Sequence, residues 1–342
     1  MAAIELGLDT FGDITAGPDG ALLTHAQVIR NVVAEGVLAD ELGIDFIGLG
    51  EHHRADFAIS SPDVVLAAIG ACTKRIHLGS AVTVLSSDDA VRVFQRHSTL
   101  DAISNGRAEV ILGRGSFTES FPLFGFDLNQ YEELFEEKLD LFAALLTQES
   151  VTWRGRLRPP LTNQKVFPPV ERGTLKTWIG VGGSPESVVR AARYGLPLML
   201  AIIGGEPARF RPFVDLYQRA LDKLGKPAQP VGVHCHGYVA ATDAQARDEL
   251  FPDYKRMRDR IGSERGWPPM QRADFEREAE RGALHVGSPE TVARRIAATA
   301  KALGVARFDM KYSAGTLAHD KMMRCIELYG RKVIPLVRDM LA

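Results

Sequence analysis

Three groups of residues are of the types, at the spacings, that chemistry needs. The first is Glu51-His52-His53-Arg54, two adjacent imidazoles between an acid and a guanidinium. Neighbouring side chains on an extended backbone point to opposite faces, so at most one of these histidines is expected to face a pocket. There it would titrate near neutrality and serve as general base or hydrogen-bond donor; the plainer reading is a loop cap or a partner for Glu51. The second group is Gly113-Arg114-Gly115-Ser116, backbone amides beside a guanidinium, which invites an anion. The third is Gly180-Val181-Gly182-Gly183-Ser184-Pro185-Glu186-Ser187. Its glycines permit close backbone approach, Ser184 is a natural N-cap, Pro185 suits a first helical turn and Ser187 lies one turn in. Amides and hydroxyls therefore meet the positive end of a helix. Alone this reads equally as a well-capped helix and as a phosphate seat; Arg114, arriving from the neighbouring strand, favours the phosphate.

Other polar and aromatic residues leave alternatives open. His234 and His236 alternate along one strand and share a face, so they enter a pocket or form a hydrogen-bonded core pair. Lys311 either touches a substrate or pairs with Asp309 or a neighbouring helix. Phe117, Phe121, Phe124 and Phe126 read as packing for the helix that follows them rather than as a cleft wall. No metal site is expected: two neighbouring histidines seldom converge on one ion, and Cys72, Cys235 and Cys325 form no Cys-x-x-Cys or Cys/His cluster.

The elements that must carry these groups alternate between strand and helix. Ile76 to Leu85 is short, apolar and β-branched, as a strand buried on both faces should be. Ala90 to Ile103 has Val93, Leu100 and Ile103 at helical spacing, and Asn105-Gly106 ends it. Arg107 to Leu112 is a second strand that runs straight into Gly113. Around this unit, strands are read at Ile4–Asp9, Asp45–Leu49, Thr177–Val181, Leu196–Ile202, Val231–Ala241 and Arg307–Tyr312. Helices are read at 25–42, 63–73 behind a Ser60-Ser61-Pro62 cap, 130–147, 185–194, 208–224, 244–261 and 289–303, with closing helical structure from 319 to 341. Eight strands each followed by helix predict a single α/β (β/α)8 TIM-barrel domain over 1–342, with insertions after strands 4 and 7. The proline-rich stretch 151–175 reads as an irregular arm with a short hairpin. The segment 250–285, charge-dense and broken by Trp267-Pro268-Pro269, reads as a lid insertion. An open doubly wound sheet is disfavoured because Phe11-Gly12-Asp13-Ile14 replaces a Gly-x-Gly-x-x-Gly turn after the first strand. In a barrel, chemistry belongs at the C-terminal ends of the strands, which is where the three groups fall.

Composition narrows the class. A formal net charge of −2 with 25% charged residues shows no basic bias towards nucleic acid. No signal peptide and no membrane-spanning apolar run is recognised, and the scattered cysteines fit a reducing cytoplasm.

Read in order, Glu51-His52-His53, the run Leu78-Gly79-Ser80-Ala81-Val82-Thr83-Val84-Leu85, Ala90-Val91-Arg92, Leu100-Asp101 with Ser104-Asn105-Gly106-Arg107, and Gly113-Arg114-Gly115 resemble the bacterial luciferase family of flavin-dependent monooxygenases. Ala191 to Pro197 and Val286 to Glu290 resemble its later motifs, so the similarity covers most of the chain. The resemblance implies a barrel that binds FMN, with reduced flavin and dioxygen attacking a small organic substrate. It places the family's non-prolyl cis peptide at Ala81-Val82 beneath the isoalloxazine ring, where such a bond costs about 3–4 kcal/mol and small residues admit a flat ring. Arg114 and Ser116, with Gly113 and Gly115 beside them, would hold the phosphate together with Ser184, Ser187 and the glycines Gly182 and Gly183. His52 would match the family's catalytic histidine, and the lid would keep water out.

The luciferase light-emitting subunit carries a cysteine where this chain has Gly113 and an acid where it has Gly183, which argues against light emission. Further expectations are a separate flavin reductase, since no dinucleotide motif is visible, and a homodimer. The same resemblance keeps open a deazaflavin-dependent hydride-transfer enzyme and a non-catalytic flavin-binding protein.

Overall fold

The computed structural model describes residues 4–17, 19–171 and 173–342. Its centre is a closed barrel of eight parallel strands: β1 (Glu5–Thr10), β2 (Phe46–Leu49), β3 (His77–Val84), β4 (Ala108–Gly113), then, past a two-stranded hairpin of β5 (Val151–Trp153) and β6 (Leu161–Gln164), β7 (Lys176–Val181), β8 (Leu198–Ala201), β9 (Val231–Val239) and, past the short β10 (His285–Gly287), β11 (Arg307–Lys311). The circle closes where β8 pairs β9 and β9 pairs β11. Every expected barrel strand is present. The continuous apolar runs explain this, since all six residues of β4 and all four of β2 are buried between core and helices.

The helices α1 (His25–Glu41), α2 (Pro62–Cys72), α3 (Ala90–Ser104), the one-turn α4 (Ser120–Phe124), α5 (Tyr131–Thr147), α6 (Pro185–Tyr194), α7 (Arg211–Lys223), α8 (Asp243–Arg265), α9 (Arg272–Arg281), α10 (Pro289–Leu303), α11 (His319–Leu328) and α12 (Ile334–Leu341) surround the strands and cap the barrel. Local chemistry sets their ends. Asp89 accepts from the amides of Val91 and Arg92 to start α3, and Asn105 ends it in the left-handed region at φ 56°. Ser61 precedes α2 without bonding its free amides, so the expected cap there is made by Pro62 at the first turn alone.

Of the two insertions, one follows the sequence reading and the other is more regular than its composition suggested. The arm 151–175 does contain its hairpin, an antiparallel pairing of β5 with β6. The charge-dense part of 250–285 is not irregular: α8 runs unbroken for 23 residues through Pro252, and α9 follows the turn at Trp267-Pro268-Pro269. Beyond it β10 adds in parallel to β9, a strand too short to show a period in the sequence.

The N-terminal end of the barrel is sealed by charge. Arg307, 0% exposed, donates to Asp309 at 2.9 Å and to Glu109 at 2.6 Å, and its guanidinium lies 3.4 Å from the centre of the Phe46 ring. His77 and Lys176 each approach the other oxygen of Glu109 to 3.0 Å. Above this layer Phe46, Ile111, Trp178 and Met199 form a separate apolar cluster on which Ala81 and Val82 rest.

Candidate active site

A cavity of about 900 Å³ opens at the C-terminal ends of the strands. Ala81, Val82, Ile111 and Met199 contribute to its wall from the barrel, and Tyr254, Met257, Arg258, Trp267 and Met270 line it from α8 and the turn after it. The 250–285 segment therefore covers the mouth. Arg54 ties this cover down by pairing with Glu264 on α8, with Glu119 before α4 and with Asp56 in its own loop.

The loop after β2 places both histidines on the cavity, which corrects the expectation that only one would face it. The reason is that β2 ends at Leu49, so strand alternation no longer governs residues 51–53. Glu51 accepts from the Val84 amide at 2.9 Å with one oxygen, while its other lies 2.8 Å from His53 Nε2. His53 thus has the plainer of the two roles considered. His52 instead sits in an aromatic box of Phe11, Phe57 and Phe117, with ring centroids 4.7, 4.5 and 5.1 Å away. Burial there pushes its imidazole down to about 3, against the opposing pull of Asp13, so it stays neutral at ordinary pH rather than titrating near neutrality. Phe117 is accordingly a cavity wall and not helix packing. Phe121 does pack, against Tyr131, and Phe126 lies under the Lys138 ammonium.

The peptide between Ala81 and Val82 is cis. Two glycines close around it: a Cβ at Gly113 would stand 2.6 Å from Val82 Cγ2, and one at Gly180 3.0 Å from Val82 Cγ1. Gly182 faces open space, with nothing within 4 Å of where a Cβ would be, and Gly183 adopts φ +111°, a conformation that favours glycine.

Gly113, Arg114, Gly115, Ser116 and Gly182 line the cavity, while Gly183, Ser184 and Ser187 stand beside it at the start of α6. Ser184 accepts from the Ser187 amide at 3.2 Å, so it is the N-cap the sequence suggested. The two loops meet through residues that were not anticipated. Glu132, in the first turn of α5, pairs with Arg114 through one oxygen and with Arg190 at 3.0 Å through the other. Arg190 also reaches Ser187 Oγ at 3.4 Å and pairs with Glu136. Its signal was its place three residues after Ser187 on one helix face.

Opposite this end, Asp9 Oδ2 lies 2.6 Å from His234 Nδ1, and both His234 and His236 line the cavity. Burial disfavours charge on His234, but Asp9 outweighs it and raises the imidazole above its ordinary value; His236, buried without such a partner, falls well below. Of the roles left open for Lys311, the pair with Asp309 is not the one seen: Lys311 lines the cavity, pairs with Asp13 at 2.9 Å and donates to the Ser313 carbonyl at 2.6 Å, while Asp309 is engaged by Arg307. Among the described residues no group of three or more His, Cys, Asp or Glu is placed to hold a metal ion, and no helix is long and apolar enough to cross a membrane.

Comparison with known proteins adds to this geometry. A model of the luciferase-like monooxygenase family matches residues 10–307. An uncharacterised protein, y4vJ, of Sinorhizobium fredii is 27% identical over 96% of this chain and 97% of its own. An alkanal monooxygenase alpha chain of Photorhabdus luminescens is 26% identical over 68% of this chain, and the match spans 64% of that relative. Among solved structures, monooxygenase RslO1 from Streptomyces bottropensis superposes with a TM-score of 0.84 at 22% identity, covering 97% of this chain and 99% of that one. The oxygenating constituent of 3,6-diketocamphane monooxygenase from Pseudomonas putida, in complex with FMN, gives 0.77 at 19% identity over 97% and 98%. An F420-dependent secondary alcohol dehydrogenase gives 0.76 at 15% identity over 98% and 100%. At these identities the structures speak for the fold.

Proposed function

The chain belongs to the luciferase-like monooxygenase family, and on that premise we propose that it is a flavin-dependent monooxygenase, using reduced FMN and dioxygen on a small, largely apolar organic substrate. The observation that carries this is the end of the cavity where two loops converge on an oxyanion. The Glu132 carboxylate sits between Arg114 and Arg190, an internal stand-in that supports reading this corner as a seat for negative charge. The residues present fit FMN. Arg114, Ser116, Ser184 and Ser187, with the amides of Gly182 and Gly183, would hold its phosphate; Gly113 and Gly115 let the chain pass close, and Ala81 and Val82 would support its ring.

Reduced FMN, when bound, would supply the two electrons that activate dioxygen. His52, held neutral, offers a hydrogen bond without adding charge to its aromatic box and is the residue we assign to catalysis. The cover of α8 and α9 would limit access of water to the chamber. A separate reductase would deliver reduced FMN. An exposed apolar groove on α2 and α3, where Val64 and Ile103 lie beside Phe167 of the arm, supports a homodimer. The free cysteines Cys72, Cys235 and Cys325 fit the cytoplasm.

The shared fold of the F420-dependent dehydrogenase keeps a deazaflavin as the rival cofactor. The test is to titrate the protein with FMN by flavin fluorescence, then to follow oxygen uptake with FMN reduced by an added reductase. Micromolar binding and enzyme-dependent oxygen uptake are expected. Arg114→Ala should weaken FMN by about tenfold or more, the loss of one charge-assisted hydrogen bond. Turnover with F420 and none with FMN would overturn the reading in favour of hydride transfer.

A further inference from the structure

We propose that Asp9 and His234 form a second acid–base device in the same cavity, which takes and holds the proton of an acidic hydroxyl on the substrate, so that the chain selects phenols or enols and binds them as anions. This rests on the flavin-monooxygenase reading and names its substrate class.

The geometry is that of a carboxylate–imidazole pair with one nitrogen left over. Asp9, 0% exposed, stands in β1 and His234 in β9, two strands joined through β11. A carboxylate can only accept, so the Asp9 contact fixes a proton on Nδ1 and leaves the lone pair on Nε2. Among the described residues no group bonds Nε2, and the ring lines the cavity. The other groups facing His234 do not compete for that proton. Lys311 is spent on Asp13 and Ser313, Asp309 is spent on Arg307, and His236 lies 6.1 Å away with its Nδ1 unpartnered. Asp9 is left as the countercharge for an imidazolium. His52 has no such carboxylate.

The surroundings say what carries the hydroxyl. Phe11 stacks on His234 at 6.1 Å and 7° and turns its edge to His52, while Tyr254 meets His236 at 5.7 Å. A flat apolar body with one acidic hydroxyl suits a cavity walled by these rings. The chemistry gives the hydroxyl a purpose. Oxygen transferred as an electrophile goes to electron-rich carbon, and breaking the O–H bond leaves its electron pair on oxygen, to be shared with the ring or the enol carbon. The new carbon–oxygen bond forms as the O–O bond breaks, the second oxygen leaves as water, and the proton displaced from carbon passes to the transferred oxygen. The proton resides on Nε2 until the hydroxylated product takes it back, so the pair is unchanged over a cycle. The electrons that reduce the second oxygen atom come from reduced flavin.

4-Nitrophenol, whose anion has a visible band, is the probe. Its apparent pKa on the protein is read by difference spectra with and without FMN. Wild type is expected to lower that pKa by about 1, a tenfold change in ionisation. His234→Gln should abolish the shift, and Asp9→Asn should remove most of it while still binding the phenol. An equal shift in wild type and His234→Gln, or no shift or no binding by wild type, overturns the proposal. FMN titrations on the same samples keep the two readings apart: the phenol result stands or falls without flavin, and failure to bind FMN sinks only the oxygenase reading.

Discussion

Arg307 at the N-terminal end of the barrel and Lys311 at the C-terminal end stand on the same strand, β11, each buried and each beside aspartate. Below, Arg307, Asp309 and Glu109 are packed against one another beside Phe46 and Trp178, and of the three only Asp309 borders the cavity above. Above, Asp9, His234, His236 and Lys311 all stand on the wall of a cavity of about 900 Å³. The difference lies in what surrounds the charge. Packed away from open space it holds strands together, and on a cavity wall it is available for chemistry.

The largest expected effect tests the lower end. Arg307→Ala leaves Asp309 and Glu109 buried without their cation, and unfolding in urea should show a loss of about 3–5 kcal/mol. A loss below about 1 kcal/mol would break the comparison. At the upper end His52→Ala should leave the melting temperature close to wild type yet slow oxygenation by about a hundredfold, measured as product formed per reduced flavin. Unchanged turnover would instead point to a flavin-binding protein without catalysis.

The smallest effect is on acid stability. The imidazoles of His52, His97, His236 and His285 all lie below their ordinary 6.5 because burial disfavours their charged forms. Between that value and the folded ones the unfolded chain binds more protons, so stability is present above 6.5 and declines as pH falls through that window. His234, raised by Asp9, and Asp309, pushed up to about 6 by burial, run the other way. The melting temperature should therefore drop by about a few degrees from pH 7 to pH 5. A rise would show that the last two groups dominate.

Most of the barrel was legible in the sequence because buried parallel strands are short apolar runs and their helices carry caps such as Ser184 and Ser288. The loops bearing Arg114 and Ser184 were legible too, since glycines and a proline at a helix start are local signals. What escaped depends on packing between distant segments. The Arg114–Glu132–Arg190 chain needs α5 to lie against α6. The neutrality of His52 needs Phe11, Phe57 and Phe117 to arrive from three loops. The helicity of α8 beyond Ile261 was hidden by its charge, because a polar helix shows no apolar stripe until one face is seen to cover a cavity.

The cover has one more consequence. It hangs between β9 and β10, after the seventh barrel strand is already paired on both sides by β8 and β11. Its length and composition can therefore be redrawn without shifting any strand of the cylinder beneath. A transplanted ceiling of other aromatic and basic residues should retune which molecules are admitted, while the floor at Ala81 and Val82 keeps its shape.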